Sequence, residues 1–476
     1  MGKLYWVFIW IACITFGNEA GVFGENHVIH TIPPSGIVIN TPGTYYFKKN
    51  ITWHPKADGP AIYIQANDVV LNMQGFTLKS STTHFKTIGV AAIASENLKI
   101  VDGKIKNMGL AGIQCALCAN VSIQGIEVDG LNAEDIANFV VPTGILASES
   151  FNVTIDQCTV KNIDVKTASC SGIQLTATLS SKVTRCKVED LLNRDGACSG
   201  IGHILCDDIL IHSCHLDHIK TTFINNLNTQ GHTAIGIIPT LSRNITINEC
   251  RVSHVTGCCD DAHGMSVFLC QNAIVKRSKV SHVLDGAGEA KRGAKATGIE
   301  IYGDNVTVSD CFVKDIFAIN PEDKQSTGFS CGLSNGVKFI RCKAKNVQVY
   351  NEKGKQSASL GYGTGFGWAP DPRPSLLKPA VNVLYQKCIA KHCQVGFDSW
   401  FHIDSVWDRV TSIKNDIAIL NLGDDAQRTL SCNPCSECGC TFIACFPTPY
   451  VVTVNNVAQN NTFLALDKKG VILKGE

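Results

Sequence analysis

The sequence predicts an all-β chain folded as a parallel β-helix, a solenoid of about a dozen stacked coils. A glycine-led unit recurs at intervals of roughly 23 to 37 residues, the range typical of solenoid repeats with loops of variable length. Within each unit, short stretches alternate apolar and polar residues, and no stretch keeps a helical period. Equivalent positions of successive units also carry the same residue type. Stacking such units buries apolar surface that one coil cannot bury alone.

The repeat is clearest in the middle of the chain. Gly144 and Gly236 each begin a Gly-Ile pair that is followed, eight residues after the glycine, by Asn-Val-Thr-Ile or Asn-Ile-Thr-Ile. Other units begin at Gly89, Gly112, Gly172, Gly200, Gly264, Gly298, Gly328 and Gly365. This spacing predicts short strands separated by tight turns, with equivalent strands of neighbouring coils paired in parallel.

A cysteine occupies one fixed position in most units. The residues at this position are Cys158, Cys186, Cys214, Cys250, Cys311, Cys342 and Cys388, with Ser278 substituting once. We interpret them as an inward column of free thiols, because a buried cysteine behaves as a small hydrophobe. Neighbours in parallel register point the same way, which suits disulfide geometry poorly. Disulfides or a metal array are the alternatives.

A second column lies four residues after the first and is predicted to form turns. Its members are Asn162, Asp190, His218, His254, His282, Asp315, Asn346 and His392. Asn, Asp and His are the non-glycine residues that best tolerate left-handed backbone. A metal-binding or pH-sensitive stack of the three consecutive histidines is the alternative interpretation.

These patterns, together with the opening Asn-Asp-Val-Val-Leu-Asn-Met-Gln-Gly-Phe-Thr-Leu at residues 67–78, resemble right-handed parallel β-helix repeat proteins of the pectate-lyase-like superfamily. The resemblance covers about Gly36 to Asp425. It implies a right-handed solenoid and, for enzymes of this superfamily, a site in a groove along one outer sheet. The superfamily includes polysaccharide lyases, glycosidases, phage tailspikes and adhesins, so the resemblance does not fix an activity.

The two ends of the chain differ from the repeat. Lys3 precedes an apolar run from Leu4 to Phe16, which is typical of a secretory signal peptide, with a lipoprotein site at Cys13 as the alternative. We therefore predict a signal peptide at residues 1–24, an N-terminal cap at 25–58, the β-helix at 59–425 and a cysteine-rich C-terminal cap at 426–476. The C-terminal cluster comprises Cys432, Cys435, Cys438 and Cys440. In an exported chain this cluster favours disulfides over a zinc site.

One loop combines residues that are suited to acid and base chemistry. Asp260, Asp261 and His263 precede Gly264, where most other units have Ser or Thr before the glycine, and Glu300 lies on the next coil. Paired carboxylates beside a histidine suit cleavage of a glycosidic bond. The Asp-Asp pair and the His-Gly step resemble polygalacturonases, but here they share one loop and no Arg-x-Lys follows. Solvated loop carboxylates are the alternative. We expect no cofactor or resident metal, except calcium if the chain is a lyase.

Composition and export narrow the function. Charged residues make up 17% of the chain and the formal net charge is +1, so we expect no nucleic-acid partner. No further segment is long and apolar enough to predict a transmembrane helix in the mature chain. We expect a secreted or cell-surface protein, periplasmic or outer-membrane if bacterial, that binds a polysaccharide or a cell-surface ligand as an adhesin or structural protein. A polysaccharide lyase or glycoside hydrolase is the alternative, and metal handling through the histidine column is a third hypothesis.

Aromatic residues are concentrated late in the chain, where they either fill the core or stack on sugar rings. They are Phe366, Trp368, Trp400, Phe401 and Trp407.

Overall fold

The computed structural model describes residues 25–134, 141–166, 169–222, 233–258, 261–286, 295–319, 325–350, 363–367, 380–398, 402–403, 406–413, 415, 417–420, 465–466 and 472–473. No helix occurs in these ranges, so none in the described part is suited to crossing a membrane. Nearly all the strands pair in parallel into one winding sheet. The prediction of an all-β solenoid is confirmed. The sheet consists of three ladders, which we number in their order along each coil, starting from the strand that contains the repeat glycine.

The first ladder contains the strands in which the repeat glycines lie, such as Gly144 in Thr143–Ser148. Each strand pairs in parallel with its equivalent on the next coil, as Thr143–Ser148 does with Ser169–Thr176. The strands are Ile37–Ile39, Gly59–Ile64, Thr87–Ile93, Ala111–Ala116, Thr143–Ser148, Ser169–Thr176, Ala197–Ile204, Ala234–Thr240, Ala262–Gln271, Lys295–Asp304, Gln325–Cys331, Gly363–Gly367, Val395–Asp398 and Ile417–Leu420.

The second ladder contains the Asn-Val-Thr-Ile strands. They are Asn26–Ile29, Gly43–Phe47, Val69–Asn72, Lys99–Met108, Ala119–Glu134, Phe151–Asp156, Leu179–Thr184, Asp207–His212, Arg243–Asn248, Ile274–Lys276, Thr307–Ser309, Lys338–Ile340, Leu384–Gln386 and Val406–Asp408. Lys99–Met108 and Ala119–Glu134 are long strands that continue into the third ladder. On these two coils the second and third ladders are therefore joined without a break.

The third ladder completes each coil. Its remaining strands are Ile51–Trp53, Thr77–Ser80, Thr159–Lys166, Lys187–Asn193, His215–Thr221, Arg251–Gly257, Lys279–Asp285, Phe312–Ile319, Lys343–Tyr350, Ile389–Lys391 and Thr411–Ile413. Two short pairs lie outside the ladders, Ala380–Val381 with His402–Ile403 and Ala465–Leu466 with Ile472–Leu473.

The repeat glycines are required by packing across the interior. A Cβ atom at Gly144 would lie 2.4 Å from Cγ1 of Val160, and one at Gly264 would lie 2.1 Å from Cγ1 of Val280. Both valines belong to the third ladder of the same coil. The glycine therefore lets the first and third ladders approach closely, and any larger residue would push the coil open.

The cysteine column lies inside the solenoid, as the repeat predicts. All seven cysteines are free thiols with at most 2% of their surface exposed, and Ser278 is completely buried. The disulfide and metal-array alternatives have no support in this column. Cys432, Cys435, Cys438 and Cys440 lie outside the described residues, as does the predicted signal peptide with Lys3, Leu4 and Phe16, so both predictions remain untested.

The predicted turn column has left-handed backbone at every position. The φ angles of its eight members, from Asn162 to His392, lie between 52° and 57°. The backbone conformation alone therefore accounts for the choice of Asn, Asp and His in this column.

The ends of the solenoid are partly described. The predicted N-terminal cap contains strands in parallel register with the first coils, as in the pairing of Ile37–Ile39 with Gly59–Ile64. Late in the chain, Phe366 is completely buried, and its ring stacks between those of Phe329 and Phe397 at centroid distances of 4.8 Å and 5.0 Å. Phe366 is thus a core residue. Trp368, Trp400, Phe401 and the side chain of Trp407 lie outside the described part.

Candidate functional site

Three of the four predicted site residues lie together on two adjacent coils of the first ladder. His263 belongs to the strand Ala262–Gln271, Asp261 directly precedes that strand, and Glu300 belongs to the neighbouring strand Lys295–Asp304. His263 lies between the two acids, with Nε2 3.5 Å from Asp261 Oδ2 and Nδ1 3.5 Å from Glu300 Oε2. Asp260 lies outside the described residues.

His263 and Glu300 are buried, which the sequence did not predict, whereas Asp261 is half-buried. His263 and Glu300 are each 3% exposed. Glu300 follows Ile299 in the alternation of the strand and therefore points away from the core, where solvent exposure was the expectation. The outward positions equivalent to Glu300 are half-buried on early coils, at Leu146 and Gln174, and buried on later ones, at Ser266, Ser330 and Asp398. The outer face of the first ladder is thus covered over the later coils.

Lys295 and Ser266 complete the cluster, and sequence reasoning missed both. Lys295 Nζ donates a hydrogen bond of 2.6 Å to Glu300 Oε1, and Ser266 Oγ donates one of 2.8 Å to Oε2. The backbone N–H of Lys295 also donates to Asp261 Oδ1 at 3.2 Å. The contact between Lys295 and Asp261 was predictable from the repeat. Both residues lie three residues before a repeat glycine, so the register of adjacent coils places these opposite charges side by side.

Mutual attraction keeps these groups charged despite their burial. Burial disfavours the charge on His263, but Glu300 and Asp261 outweigh this effect and raise the pKa of His263. Burial alone would raise the pKa of Glu300, and it is held below its usual value by His263 and Lys295. The pKa of Asp261 is lowered in the same way by Lys295 and His263. Lys295 has a pKa well above its usual value, because Glu300 and Tyr302 overcome the effect of burial.

These ionisation states limit the chemistry of the cluster. A glycosidase needs one carboxylic acid that keeps its proton near neutral pH, which requires a raised pKa. Both described carboxyl groups have the opposite shift. Glu300 accepts hydrogen bonds at both oxygens, which leaves little room for Ca²⁺. The cluster is best described as a charge-balanced network that fixes the outer surface of two coils.

A second group of titratable side chains lies on the turn column. His218 Nδ1 and His254 Nδ1 lie 2.9 Å and 2.7 Å from the two carboxylate oxygens of Asp217. The rings of His218 and His254 stack at 4.7 Å, as do those of His254 and His282. In the described part these three residues, Asp217, His218 and His254, have the donor types and proximity to hold a metal ion. The hydrogen bonds to Asp217 already account for their arrangement.

The third ladder carries a basic face on its later coils. The cations of this face occupy two columns of outward positions. One column runs from Arg251 through Lys279 and Phe312 to Lys343. The other pairs Lys345 with Lys391. We call these five cations, Arg251, Lys279, Lys343, Lys345 and Lys391, the basic face. None of them has an ion pair with another described residue, and all are exposed or half-exposed.

Early coils of the same ladder are neutralised instead. Lys104 pairs with Glu127 at 3.4 Å, Lys106 with Asp129 at 2.8 Å, and Lys161 with Glu127 at 3.2 Å. The ladder is therefore polarised along the rod, although the formal charge of the whole chain is only +1.

Comparison with known proteins supports the architecture. Residues 12–190 match the family model described as a right-handed β-helix region. No curated protein has a significantly similar sequence. The parallel ladders that begin in the matched region continue in register to Ile417–Leu420.

Solved structures with a similar fold are distant in sequence. A mutant tailspike protein of E. coli bacteriophage HK620, solved with a pentasaccharide, is 14% identical over 79% of this chain, with a TM-score of 0.48. The chain spans 65% of the length of that tailspike. The family 28 exopolygalacturonase of Yersinia enterocolitica is 8% identical over 77% of this chain and 72% of its own, with a TM-score of 0.35. The family match over residues 12–190 and the ladders that continue beyond it show that the chain has the right-handed parallel β-helix fold.

Proposed function

We propose that the chain is an exported, non-catalytic β-helix that binds an acidic polysaccharide along its basic face. The observation that carries this proposal is the alignment of cations without described acidic partners on consecutive coils. Adjacent coils are about 4.8 Å apart, so the cations lie in two neighbouring columns along the rod, with Phe312 between Lys279 and Lys343. A linear polymer with repeating carboxylate or sulfate groups is the ligand that matches such columns.

An aromatic ring within the basic face supports a sugar polymer over other polyanions. Phe312 occupies the outward position between Lys279 and Lys343, is half-buried, and has Lys343 Nζ 5.6 Å from its ring centre. An exposed aromatic ring offers an apolar surface to the face of a sugar, while the flanking ammonium groups attract its acidic substituents.

The ionisation of the buried cluster favours binding over cleavage. Asp261 and Glu300 are ionised and engaged by Lys295, so neither is suited to donate a proton to a leaving group. The cluster also lies on the first ladder, whereas the basic face lies on the third. A lyase or hydrolase remains the competing proposal. It predicts that Asp261→Asn abolishes release of sugar products while leaving the melting temperature nearly unchanged.

The test compares the binding of three polymers to the purified chain by isothermal titration calorimetry. Polygalacturonate should bind, with an affinity that falls as salt is added, whereas dextran should not bind. Double-stranded DNA serves as a polyanion without exposed sugar faces, and the proposal expects it to bind more weakly than polygalacturonate. Equal affinity for DNA and polygalacturonate would indicate non-specific charge attraction and contradict the proposal.

A matched pair of variants locates the binding surface. Replacing Lys279, Lys343, Lys345 and Lys391 by Gln should weaken polygalacturonate binding by about 10- to 100-fold, since exposed ion pairs contribute a few tenths of a kcal/mol to 1 kcal/mol each. The control replaces four cations on early coils of the same ladder, Lys104, Lys106, Lys161 and Lys187, by Gln. The net charge change is identical, and the proposal predicts little loss of affinity in the control.

A further inference from the structure

An exposed apolar ridge runs along the corner between the first and second ladders. It comprises Ile93, Leu117, Phe151, Leu179, Leu205, Leu241 and Leu269, which we call the leucine ridge. These residues are 37% to 59% exposed and include seven of the ten large hydrophobic side chains that are exposed in the described part of the chain. Their concentration at one corner distinguishes them from the scattered exposed hydrophobics of an ordinary surface.

Each of seven consecutive coils contributes one member of the leucine ridge. Leu117, Leu205 and Leu241 directly follow strands of the first ladder, and Leu269 lies at the equivalent point within the strand Ala262–Gln271. The backbone N–H groups of Leu205 and Leu241 donate to the coils beyond them. On the other three coils this position holds Ala94, Glu149 or Ala177. The apolar side chain there is Ile93, one residue earlier, or Phe151 and Leu179, two residues further along and paired with each other. The exposed apolar side chains therefore lie at neighbouring positions around the same corner of each coil.

The conformation of the leucines is not explained by the turn they form. Leu117, Leu205, Leu241 and Leu269 have φ angles between 48° and 57°, a left-handed conformation that is unfavourable for leucine. The next turn along the coil has the same conformation and uses asparagine, as at Asn120, Asn152, Asn244 and Asn272. Leucine at these positions is strained and leaves much of its side chain in water, so neither the turn nor the core accounts for it.

We propose that the leucine ridge is the interface at which two copies of this chain associate side by side. Seven half-exposed side chains of this size present on the order of 500 Å² of apolar surface, at the upper end of what a monomer usually exposes. A standard interface removes about 800 Å² from each partner, and the ridge supplies more than half of that area as apolar surface. The six steps of about 4.8 Å between seven coils also give a row of roughly 30 Å.

The charges beside the ridge do not oppose pairing with an identical surface. Arg243 and Asp207, which flank the ridge on adjacent coils, form an ion pair of 2.7 Å with each other. A two-fold axis through the middle coil sets the rods antiparallel, so that Leu179 meets the same residue of the second copy. The basic face on the third ladder stays uncovered in this arrangement, and the inference is independent of the proposed function.

Sedimentation velocity across a range of micromolar concentrations tests the interface. The wild-type chain should reach a monomer–dimer equilibrium, and replacement of Leu205, Leu241 and Leu269 by Asn should raise the dissociation constant by at least 100-fold. Asparagine is favoured in left-handed backbone, so the variant should keep or exceed the wild-type melting temperature, which separates lost association from lost folding. The control Ala177→Asn makes the same backbone change on a coil whose apolar member is Leu179, and it should dimerise normally.

A cysteine at Leu179 tests the two-fold arrangement directly. Leu179→Cys should form a covalent homodimer under mild oxidation, whereas Val38→Cys, at an exposed residue outside the ridge, should not. The proposal is overturned if the wild-type chain stays monomeric throughout the concentration range, which would leave another partner for the ridge. It is equally overturned if the triple asparagine variant dimerises as tightly as the wild-type chain.

Discussion

Lys295 and Glu300 form a buried ion pair on the outside of the solenoid, with Nζ 2.6 Å from Oε1 and side chains that are 5% and 4% exposed. Both residues lie on one strand, and Glu300 is further held by Ser266 of the adjacent coil. A buried pair of this kind stabilises little relative to apolar residues, but the loss of one partner leaves an uncompensated charge. The pair therefore makes the outer surface of this coil sensitive to single substitutions.

The first prediction is a double-mutant cycle on this pair. Glu300→Gln should lower the free energy of unfolding by about 3 to 5 kcal/mol, because Lys295 stays buried and loses the carboxylate to which its ammonium group is hydrogen-bonded. The double variant Lys295→Met/Glu300→Leu should cost less than either single change, because it removes both charges. Urea denaturation monitored by circular dichroism measures all four proteins. Additive effects of the two single changes would contradict the pairing.

The second prediction concerns pH and His263. Because the pKa of His263 is higher in the folded chain than in the unfolded chain, its stabilising contribution is fully present below about pH 6.5. This contribution is lost as the pH rises through the folded pKa. Melting temperatures of wild type and His263→Gln should therefore differ most near pH 5 to 6 and converge at higher pH. A gap that widens above pH 7 would show that His263 is stabilised in its neutral form.

The carboxylates of the cluster predict the acid limit of the same profile. The pKa values of Asp261 and Glu300 are lowered by folding, so their contribution is present above about pH 4 and is lost as the pH falls through the folded pKa values. Together with His263, this places the greatest contribution of the cluster between about pH 4 and pH 6.5.

How far the sequence predicts this site depends on which property is considered. The repeat register brings Asp261, His263 and Glu300 together, because equivalent positions of adjacent coils must be neighbours. The same register, applied to residues three before each glycine, would also have found Lys295. Burial could not be predicted, because alternation along a strand says only that Glu300 points outward, and not whether that outer face is covered.

The third prediction is that the interior cysteines do not react in the folded chain. Burial raises the pKa of Cys331 to about 12 and that of Cys270 to about 11, so these two thiols hold almost no thiolate near neutral pH. Cys214 and Cys250 are at most 1% exposed, so the reagent cannot reach their sulfur atoms in the folded chain. Iodoacetamide labelling of the native chain followed by mass spectrometry should leave Cys214 and Cys250 unmodified, and labelling in urea should modify both. Rapid native labelling of either residue contradicts an inward column. The same experiment reports whether Cys432, Cys435, Cys438 and Cys440 are oxidised or metal-bound, as the sequence predicts.

The fourth prediction uses the turn column, where the sequence predicts backbone conformation at single residues. His254 has a φ of 52° and is exposed, so its replacement tests the backbone rather than the core. His254→Asn should change the free energy of unfolding by less than about 0.5 kcal/mol. His254→Val should cost about 1 to 2 kcal/mol, because a β-branched residue is strained in left-handed backbone. Equal stability of the two variants would contradict the role assigned to this column.

The fold was more predictable than the surface features for a physical reason. A solenoid repeats one environment many times, so each inward cysteine and each left-handed asparagine or histidine is an independent sample of the same constraint. The basic face and the leucine ridge are not repeated requirements of the coil. The members of the ridge occupy three different positions of the coil, those of Ile93, Leu117 and Phe151, and only the three-dimensional register shows that all three lie at the same corner.

Lysine footprinting in the presence of an acidic polysaccharide tests directly whether the ligand binds along the basic face. The chain is acetylated under limiting reagent with and without polygalacturonate, and modification at each lysine is quantified by mass spectrometry. Binding along the basic face predicts protection of Lys279, Lys343, Lys345 and Lys391, with no protection of Lys104 and Lys106 on the early coils. Uniform protection of both groups, or protection confined to the early coils, would contradict a ligand bound along the basic face.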